Sequence, residues 1–334
     1  MLDLRPIVAG VLGVFLLMLI GAGCRKIGWL TREADRSLAN LTANVMLPAY
    51  FFARFVSSDT LDSLDKAWLM PAYGFAMTSL GFCVGLLIAF GLGRWIGLDT
   101  NDKQRAFALC VGICNYGFVP LPLAEQICPD AVPDIILHNV GVDASLWSIG
   151  ILIIAGFTSQ GLRRAVISPP LIAVALAIIV RQTGPHDWFP PAAGKAVLAA
   201  IQKLGNCAIP SGLLLSGAII VDFLNTAKGR PHLRTVLAAI SVRQGILPLL
   251  MLGIAMLIPT SMASENARVA MMLEAAMPAA VFPIVLTRLY ERDTATALQV
   301  TLSTSLAGIV LIPAWIAIGS QWLGVSGNTL NLSG

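Results

Sequence analysis

Charge is the scarcest ingredient of this sequence. Of 334 residues, 12% are charged and 57% hydrophobic, against roughly 25% charged residues in an ordinary soluble domain. A water-soluble fold of this length cannot hide so much apolar surface. No stretch is long and polar enough to form a separate soluble domain. No basic run of the kind that captures nucleic acid or lipid headgroups is present either; the net charge of +4 is spread over short loops, so no nucleic-acid partner is expected. Histidine occurs three times, and the six cysteines have no metal or redox spacing. Cys110 and Cys114 lie one helical turn apart in an apolar segment without a histidine near them in sequence, which reads as helix packing and not as a metal site. An H-E-x-x-H pair, a G-x-S-x-G elbow and a pair of closely spaced intramembrane aspartates are all absent. A membrane-embedded enzyme is therefore disfavoured, and neither catalysis nor a cofactor is expected.

What is abundant is long apolar runs. A run of about 18 such residues crosses a hydrocarbon core of roughly 30 Å as a helix. Runs between charged or Pro/Gly-rich breaks predict ten spans, near residues 6–23, 38–56, 67–92, 104–126, 132–157, 166–181, 195–221, 233–258, 266–289 and 295–322. The first follows only Arg5 and is not closed by a small-residue cleavage pattern, so it reads as a retained helix. Basic residues gather in the loops after odd-numbered spans: Arg25, Lys26, Arg32 and Arg36, then Arg94, Lys103 and Arg105, Arg163 and Arg164, Lys228, Arg230 and Arg234, and Arg288 and Arg292. The opposite side holds only Arg5, Lys66, Arg181, Lys195 and Arg268. That asymmetry places both termini outside the cytoplasm, and the short loops suit a bacterial inner (plasma) membrane protein.

The chain also repeats itself. A shift of 163 residues brings Pro6 onto Pro169, Asp102 onto Glu265, Arg105 onto Arg268 and Pro120 onto Pro283, and a shift of 162 brings Pro48 onto Pro210. Five spans per half is an odd number, so the second half must be inverted relative to the first, a common plan of secondary carriers. The halves are residues 1–157 and 163–322, followed by a short external tail, 323–334.

Within the fourth span, Asn115, Gly117, Pro120 and Pro122 crowd into CNYGFVPLPLAEQ; the ninth carries Pro278 and Pro283 in LEAAMPAAVFPIV. Proline removes a backbone donor and clashes with the preceding turn, so both spans are expected to break at mid-depth. Irregular backbone is tolerated there only where protein or a water-filled cavity satisfies it. Breaks at matched repeat positions point to a substrate site, and helices restarting after them would offer partial positive charge and unpaired N–H groups to an anion. A packing kink is the blander alternative for each.

N-Y-G-F-V-P-L-P in the fourth span, L-W-S-I-G in the fifth and A-x-P-A-A-V-F-P with T-R-L-Y in the ninth resemble the auxin efflux carrier family over nearly the whole chain. The resemblance implies an all-α membrane fold of ten helices in two inverted five-helix repeats, with broken helices 4 and 9 crossing. It also implies a scaffold of helices 1, 2, 6 and 7 beside transport helices 3–5 and 8–10. By that resemblance bacterial relatives handle carboxylates such as malate or malonate, and plant relatives export auxin. The fold is related to the bile acid/sodium symporters, whose helix-9 glutamate, followed three residues later by methionine, helps bind sodium. Glu274 in E-A-A-M has that spacing, and Asn115 sits where the wider group places a crossover asparagine. Pro278 replaces a sodium-coordinating glutamine of the symporters, which leaves H⁺ and Na⁺ both open as coupling ions.

Ionisable residues inside apolar spans are costly, roughly 2.5–3.5 kcal/mol on insertion scales. Glu274 is therefore a candidate coupling site, or the structural partner of Arg243; Arg243 is equally placed by sequence to hold a substrate carboxylate with its bidentate fork. His138, Asn139 and Asp143 form a polar cluster in the fifth span, read as a proton relay or as a structural network. Arg54 and Lys203 are explained by snorkelling, and Glu125 and Asp222 as interfacial groups. The expected substrate-binding set is Asn115, Tyr116, Gly117, Pro120, Pro278, Pro283 and Arg243, and the ion-coupling set Glu274, Asp143 and His138. The expected function is secondary transport of small organic anions by alternating access. A cation/proton exchanger using Glu274 and Asp143 is the alternative, and a homodimer in the lipid bilayer the expected assembly.

Overall fold

A computed structural model describes residues 5–56, 68–155, 169–183, 191–226, 232–326 and 329–330. Lys66, Arg163, Arg164, Lys228 and Arg230, used above for orientation, lie outside the described residues, as do the expected span ends at 156–157 and 166–168. Among the described residues the regular structure is helical, apart from one isolated antiparallel bridge.

The first described helix is α1 (Arg5–Lys26). α1 closes in a turn at Gly28, whose φ of 80° suits a residue without Cβ. α2 (Arg32–Leu41) passes through a π-turn, Thr42–Met46, into α3 (Leu47–Val56), and α4 (Leu69–Leu92) follows. α5 (Asn101–Gly112) and α6 (Pro120–Ile127) are the two pieces of the expected fourth span. α7 (Val132–Ser145) runs through a second π-turn, Leu146–Gly150, into α8 (Ile151–Ala155). The second half contains α9 (Pro169–Thr183), α10 (Pro191–Asn206) and α11 (Ala208–Thr226). α12 (Leu233–Ser241) continues through a π-turn, Val242–Ile246, into α13 (Leu247–Leu257). α14 (Glu265–Ala276), α15 (Phe282–Leu289) and α16 (Thr294–Leu323) complete the chain.

Among the described residues, six helical stretches are long and apolar enough to cross a membrane: Arg5–Lys26, Leu69–Leu92, Pro129–Ile154, Ala193–Asp222, Leu233–Leu257 and Thr294–Leu323. The expected spans 38–56, 104–126 and 266–289 fall on interrupted helices, and 166–181 lies only partly within the described residues. Leu12, Leu16 and Leu19 of α1, Leu87 and Phe90 of α4, and Leu306 and Val310 of α16 present large apolar side chains outward, a surface suited to lipid and not to water. Trp29, Trp68, Trp95 and Trp322 are exposed at helix ends, where indole rings favour the membrane–water boundary.

Two of the π-turns have a covalent cause. Each ends one residue before a Leu-Pro pair, Leu47-Pro48 and Leu247-Pro248, and a proline ring cannot approach the carbonyl four residues back, so the helix widens by one residue. The carbonyl freed by Pro248 is that of Gln244, and it accepts the Trp315 indole N–H at 2.7 Å.

Helices dock backbone to backbone through glycine, the usual glue where lipid removes the hydrophobic drive. Gly21 and Gly217 lie against the Leu214 and Met18 carbonyls, locking α1 to α11. Gly74 and Gly141 lie against the His138 and Pro71 carbonyls, locking α4 to α7. A methyl group at any of these positions would overlap the facing carbonyl.

Counterparts in the two halves, offset by 162 to 164 residues, have similar surroundings. α5 and α14 are each 12 residues long, capped by the Thr100 and Ser264 hydroxyls, which accept the Lys103 and Ala267 amides. α6 and α15 are each 8 residues long. Arg105 donates to the Ile153 carbonyl near the end of α8, and Arg268 to the Leu323 carbonyl that ends α16 and to Ile258 beyond α13.

Candidate functional site

At about 1.5 Å per residue, α5 and α14 are each about 18 Å long, enough to reach roughly halfway through a hydrocarbon core. α5 gives way at Ile113, whose backbone is extended. α14 gives way at Met277, also extended, as expected of a residue that precedes a proline. The two unwound segments pair: Cys114 bridges Ala279, with the Asn115 amide donating to the Pro278 carbonyl at 2.8 Å and the Ala280 amide to the Ile113 carbonyl at 3.2 Å.

Side chains satisfy the rest of this irregular backbone. Arg243 Nε donates to the Met277 carbonyl at 2.9 Å, the Ala279 amide donates to Thr304 Oγ1 at 3.2 Å, and Thr301 Oγ1 donates to the Ala280 carbonyl at 3.1 Å. Each would otherwise be a peptide group buried without a partner, at several kcal/mol apiece in an apolar medium.

Beside the crossing lies a cavity of 340 Å³. The unwound segment of the first break supplies Asn115, Tyr116, Gly117 and Phe118; the π-turn before Pro48 and the start of α3 supply Asn44, Leu47 and Phe51; α7 supplies Ile136, Asn139 and Asp143. Trp147 and Phe282 close one wall edge-to-face, their ring centres 5.9 Å apart. The walls are mainly apolar and aromatic, with Asn44, Asn115, Asn139, Tyr116 and Asp143 as the polar groups. No Lys, Arg or His is among the lining residues. The Asn115 Oδ1 accepts the Phe118 amide at 3.2 Å, which leaves the two Nδ2 hydrogens for a ligand. Tyr116 Oη donates to Asp143 Oδ1 at 2.7 Å.

Behind the crossing a second polar group is sealed from the cavity. Glu274 is fully buried on α14; its Oε2 accepts the Cys114 thiol at 3.4 Å and lies 3.8 Å from His138 Nδ1, while Oε1 has no partner among the described residues. The His138 ring, also buried, makes no hydrogen bond through either nitrogen among the described residues. The α7 cluster expected from sequence thus divides: His138 turns toward Glu274, and Asp143 toward Tyr116 and the cavity.

The expected binding residues separate likewise. Asn115, Tyr116 and Gly117 line the cavity, whereas Pro120 opens α6, Pro278 lies in the bridge, Pro283 is the second residue of α15, and Arg243 is buried behind the crossing. Arg243 makes no ion pair with Glu274 within 4.0 Å among the described residues; its Nε bond goes to Met277. The restarting helices offer fewer free N–H groups than the breaks alone would suggest. Pro120, Pro122 and Pro283 have no N–H to offer, and the Leu121, Leu123 and Ile284 amides are spent on the Gly117, Val119 and Val281 carbonyls. The same prolines that break the helices thus remove some of the donors their ends would have presented. Arg54 and Glu125, read as separate interfacial groups, form an ion pair with Tyr50 beside it. Asp222 pairs with Arg25 and Arg32.

The profile of the family described as "membrane transport protein" matches the chain in two segments, residues 6–160 and 154–316. The chain belongs to that family, the auxin efflux carrier group. It is similar to an uncharacterized transporter of Methanothermobacter thermautotrophicus, 25% identical over 312 residues that span 92% of this chain and 97% of the relative. It is also 25% identical over 160 residues to an uncharacterized transporter of Schizosaccharomyces pombe, a match covering 47% of this chain and 34% of that one. It is therefore an integral membrane transporter.

Several groups that shape this transporter's site were not anticipated from sequence. Thr301 and Thr304 lie in an apolar helix with nothing local to mark them, and Cys114 as a partner of Glu274 depends on the crossing itself. Asn44 carried a readable signal: it stands four residues before Pro48, where a proline frees the backbone.

Proposed function

We propose that this transporter is a secondary carrier of small organic anions, carboxylates in particular, working by alternating access. The observation that carries the reading is the bridge at Cys114 and Ala279 between two broken helices, beside a cavity faced by Asn115 and two further asparagines. Amide N–H groups, not a cationic side chain, would hold the carboxylate, with Asn115 Nδ2 as its first donor.

The absence of a cation among the lining residues favours a monocarboxylate with an apolar or aromatic body, such as an auxin-like acid, over malate or malonate, whose second charge would go unpaired. In this reading the chain has ten transmembrane helices in two inverted repeats, residues 1–157 and 163–322, with both termini outside the cytoplasm of a bacterial inner membrane. The matched caps, lengths and arginine bonds of α5–α6 and α14–α15 support the repeat. Spans 1, 2, 6 and 7 form the scaffold, and spans 3–5 and 8–10 move against it, possession of a homodimeric scaffold being part of the proposal. The Glu274 and His138 pair serves as the coupling site for H⁺ or Na⁺. Counterflow in proteoliposomes tests the function: labelled monocarboxylates exchange across the membrane, and an absence of exchange over a panel of mono- and dicarboxylates rejects it.

The second reading is a cation/proton exchanger, favoured by the partnerless Glu274 Oε1 and by Asp143 in the cavity. Sodium-driven proton flux with no organic substrate present would establish it in place of the first.

A further inference from the structure

A carboxylate is an odd lining for a pocket meant for anions, and Asp143 is the one ionisable acid among the cavity's lining residues. Its Oδ1 is engaged by the Tyr116 hydroxyl, while Oδ2 has no partner among the described residues and no lining cation is there to neutralise it. Asn139, one helical turn earlier on the same face of α7, lines the same cavity, and its buried Oδ1 is likewise without a partner. The unwound segment that also lines the cavity is of the other polarity, for Asn115 has its oxygen occupied by the Phe118 amide and its Nδ2 hydrogens left over. The lining thus holds a free donor on the unwound segment and free acceptors on α7.

We propose that the α7 wall, centred on Asp143, is an acceptor subsite, so that the substrate is a carboxylic acid carrying a separate N–H or O–H donor that bonds to Asp143 while its carboxylate meets Asn115. This rests on the carboxylate-transport reading and narrows it. Unsubstituted fatty or aryl acids are poor substrates in this scheme, because each would leave the Asp143 carboxylate desolvated and unpaired. Ammonium, hydroxyl and ring N–H groups share the required chemistry. Sites built around a substrate donor discriminate strongly against analogues that lack it, since the site's own polar group is then stranded.

The test uses purified full-length protein in lipid nanodiscs and matched acids that differ in one donor. The pairs are indole-3-acetate against 1-methylindole-3-acetate, 3-hydroxyphenylacetate against 3-methoxyphenylacetate, and 4-aminobutyrate against pentanoate. The donor-bearing member of at least one pair is expected to bind at least about tenfold more tightly to the unaltered protein. Asp143→Leu should remove that preference, bringing the two members of the pair to within about twofold of each other; the isostere, no longer stranding a carboxylate, should bind at least as tightly as to the unaltered protein, which reports that the variant is folded. Asp143→Asn, which keeps a carbonyl acceptor, should retain part of the preference. Preference in the amine pair alone identifies an ammonium as the donor, and preference in the neutral pairs a hydroxyl or ring N–H. Equal affinities within every pair, or a preference that survives Asp143→Leu, overturns the acceptor subsite while leaving carboxylate transport standing. Failure of every acid to bind overturns both.

Discussion

At the residue scale, burial separates the groups that meet a ligand from those that hold the frame. Asn115 has one side-chain atom committed to the local turn and the other facing the cavity, so Asn115→Ala should abolish carboxylate exchange while expression stays normal; undiminished flux would remove it from the mechanism. Glu274 sits behind the crossing within reach of Cys114 and His138. Glu274→Gln preserves its shape and removes its charge, and it should flatten the pH or sodium dependence of transport, whereas an unaltered dependence would reject a coupling role. Arg243 has a different part from the one its sequence position invites. It holds the Met277 carbonyl from a buried position, so Arg243→Ala should cost roughly 1–3 kcal/mol for the stranded carbonyl and weaken all ligands alike. Selective loss of carboxylate binding would return it to the cavity wall.

At the element scale, proline sets where helices stop, and distant side chains make those stops tolerable. Pro248 frees the Gln244 carbonyl, which accepts the Trp315 indole N–H from another helix. Trp315→Phe keeps most of the packing and removes that donor; thermal unfolding should report a loss of roughly 1–3 kcal/mol, and an unchanged midpoint would mean the carbonyl finds another donor. The bridge between the broken segments follows the same logic, since unwound backbone needs partners wherever water is excluded. Its partners come from α12–α13 through Arg243 and from α16 through Thr301 and Thr304.

At the scale of the whole molecule, glycine contacts fuse α1 to α11 and α4 to α7, while other contacts join one group to the other. The Phe118 ring lies on Gly212 of α11, and the Arg54–Glu125 pair ties α3 to α6. If spans 3–5 and 8–10 move against spans 1, 2, 6 and 7, these contacts change during the cycle. An ion pair of this exposure is worth up to about 1 kcal/mol, so Glu125→Gln should alter the counterflow rate by roughly two- to fivefold with little change in ligand affinity. An unaltered rate would mean that α3 and α6 move together.

Composition and the spacing of apolar runs determined that the chain is a helical membrane protein, because so few charged residues cannot clothe a soluble surface. The prolines and Asn115 likewise marked where the helices break, since a missing N–H and a ring clash act locally and need no knowledge of the fold. The tertiary structure decided what those breaks do. It set Cys114 opposite Ala279, turned His138 and Asp143 from one helix toward two separate surroundings, and placed Arg243 beneath the crossing and away from the cavity. It also showed the Leu121, Leu123 and Ile284 amides of the restarting helices already spent. Such facts depend on which helix lies beside which, and a side chain's partner across the bundle leaves no periodic trace in the sequence near it.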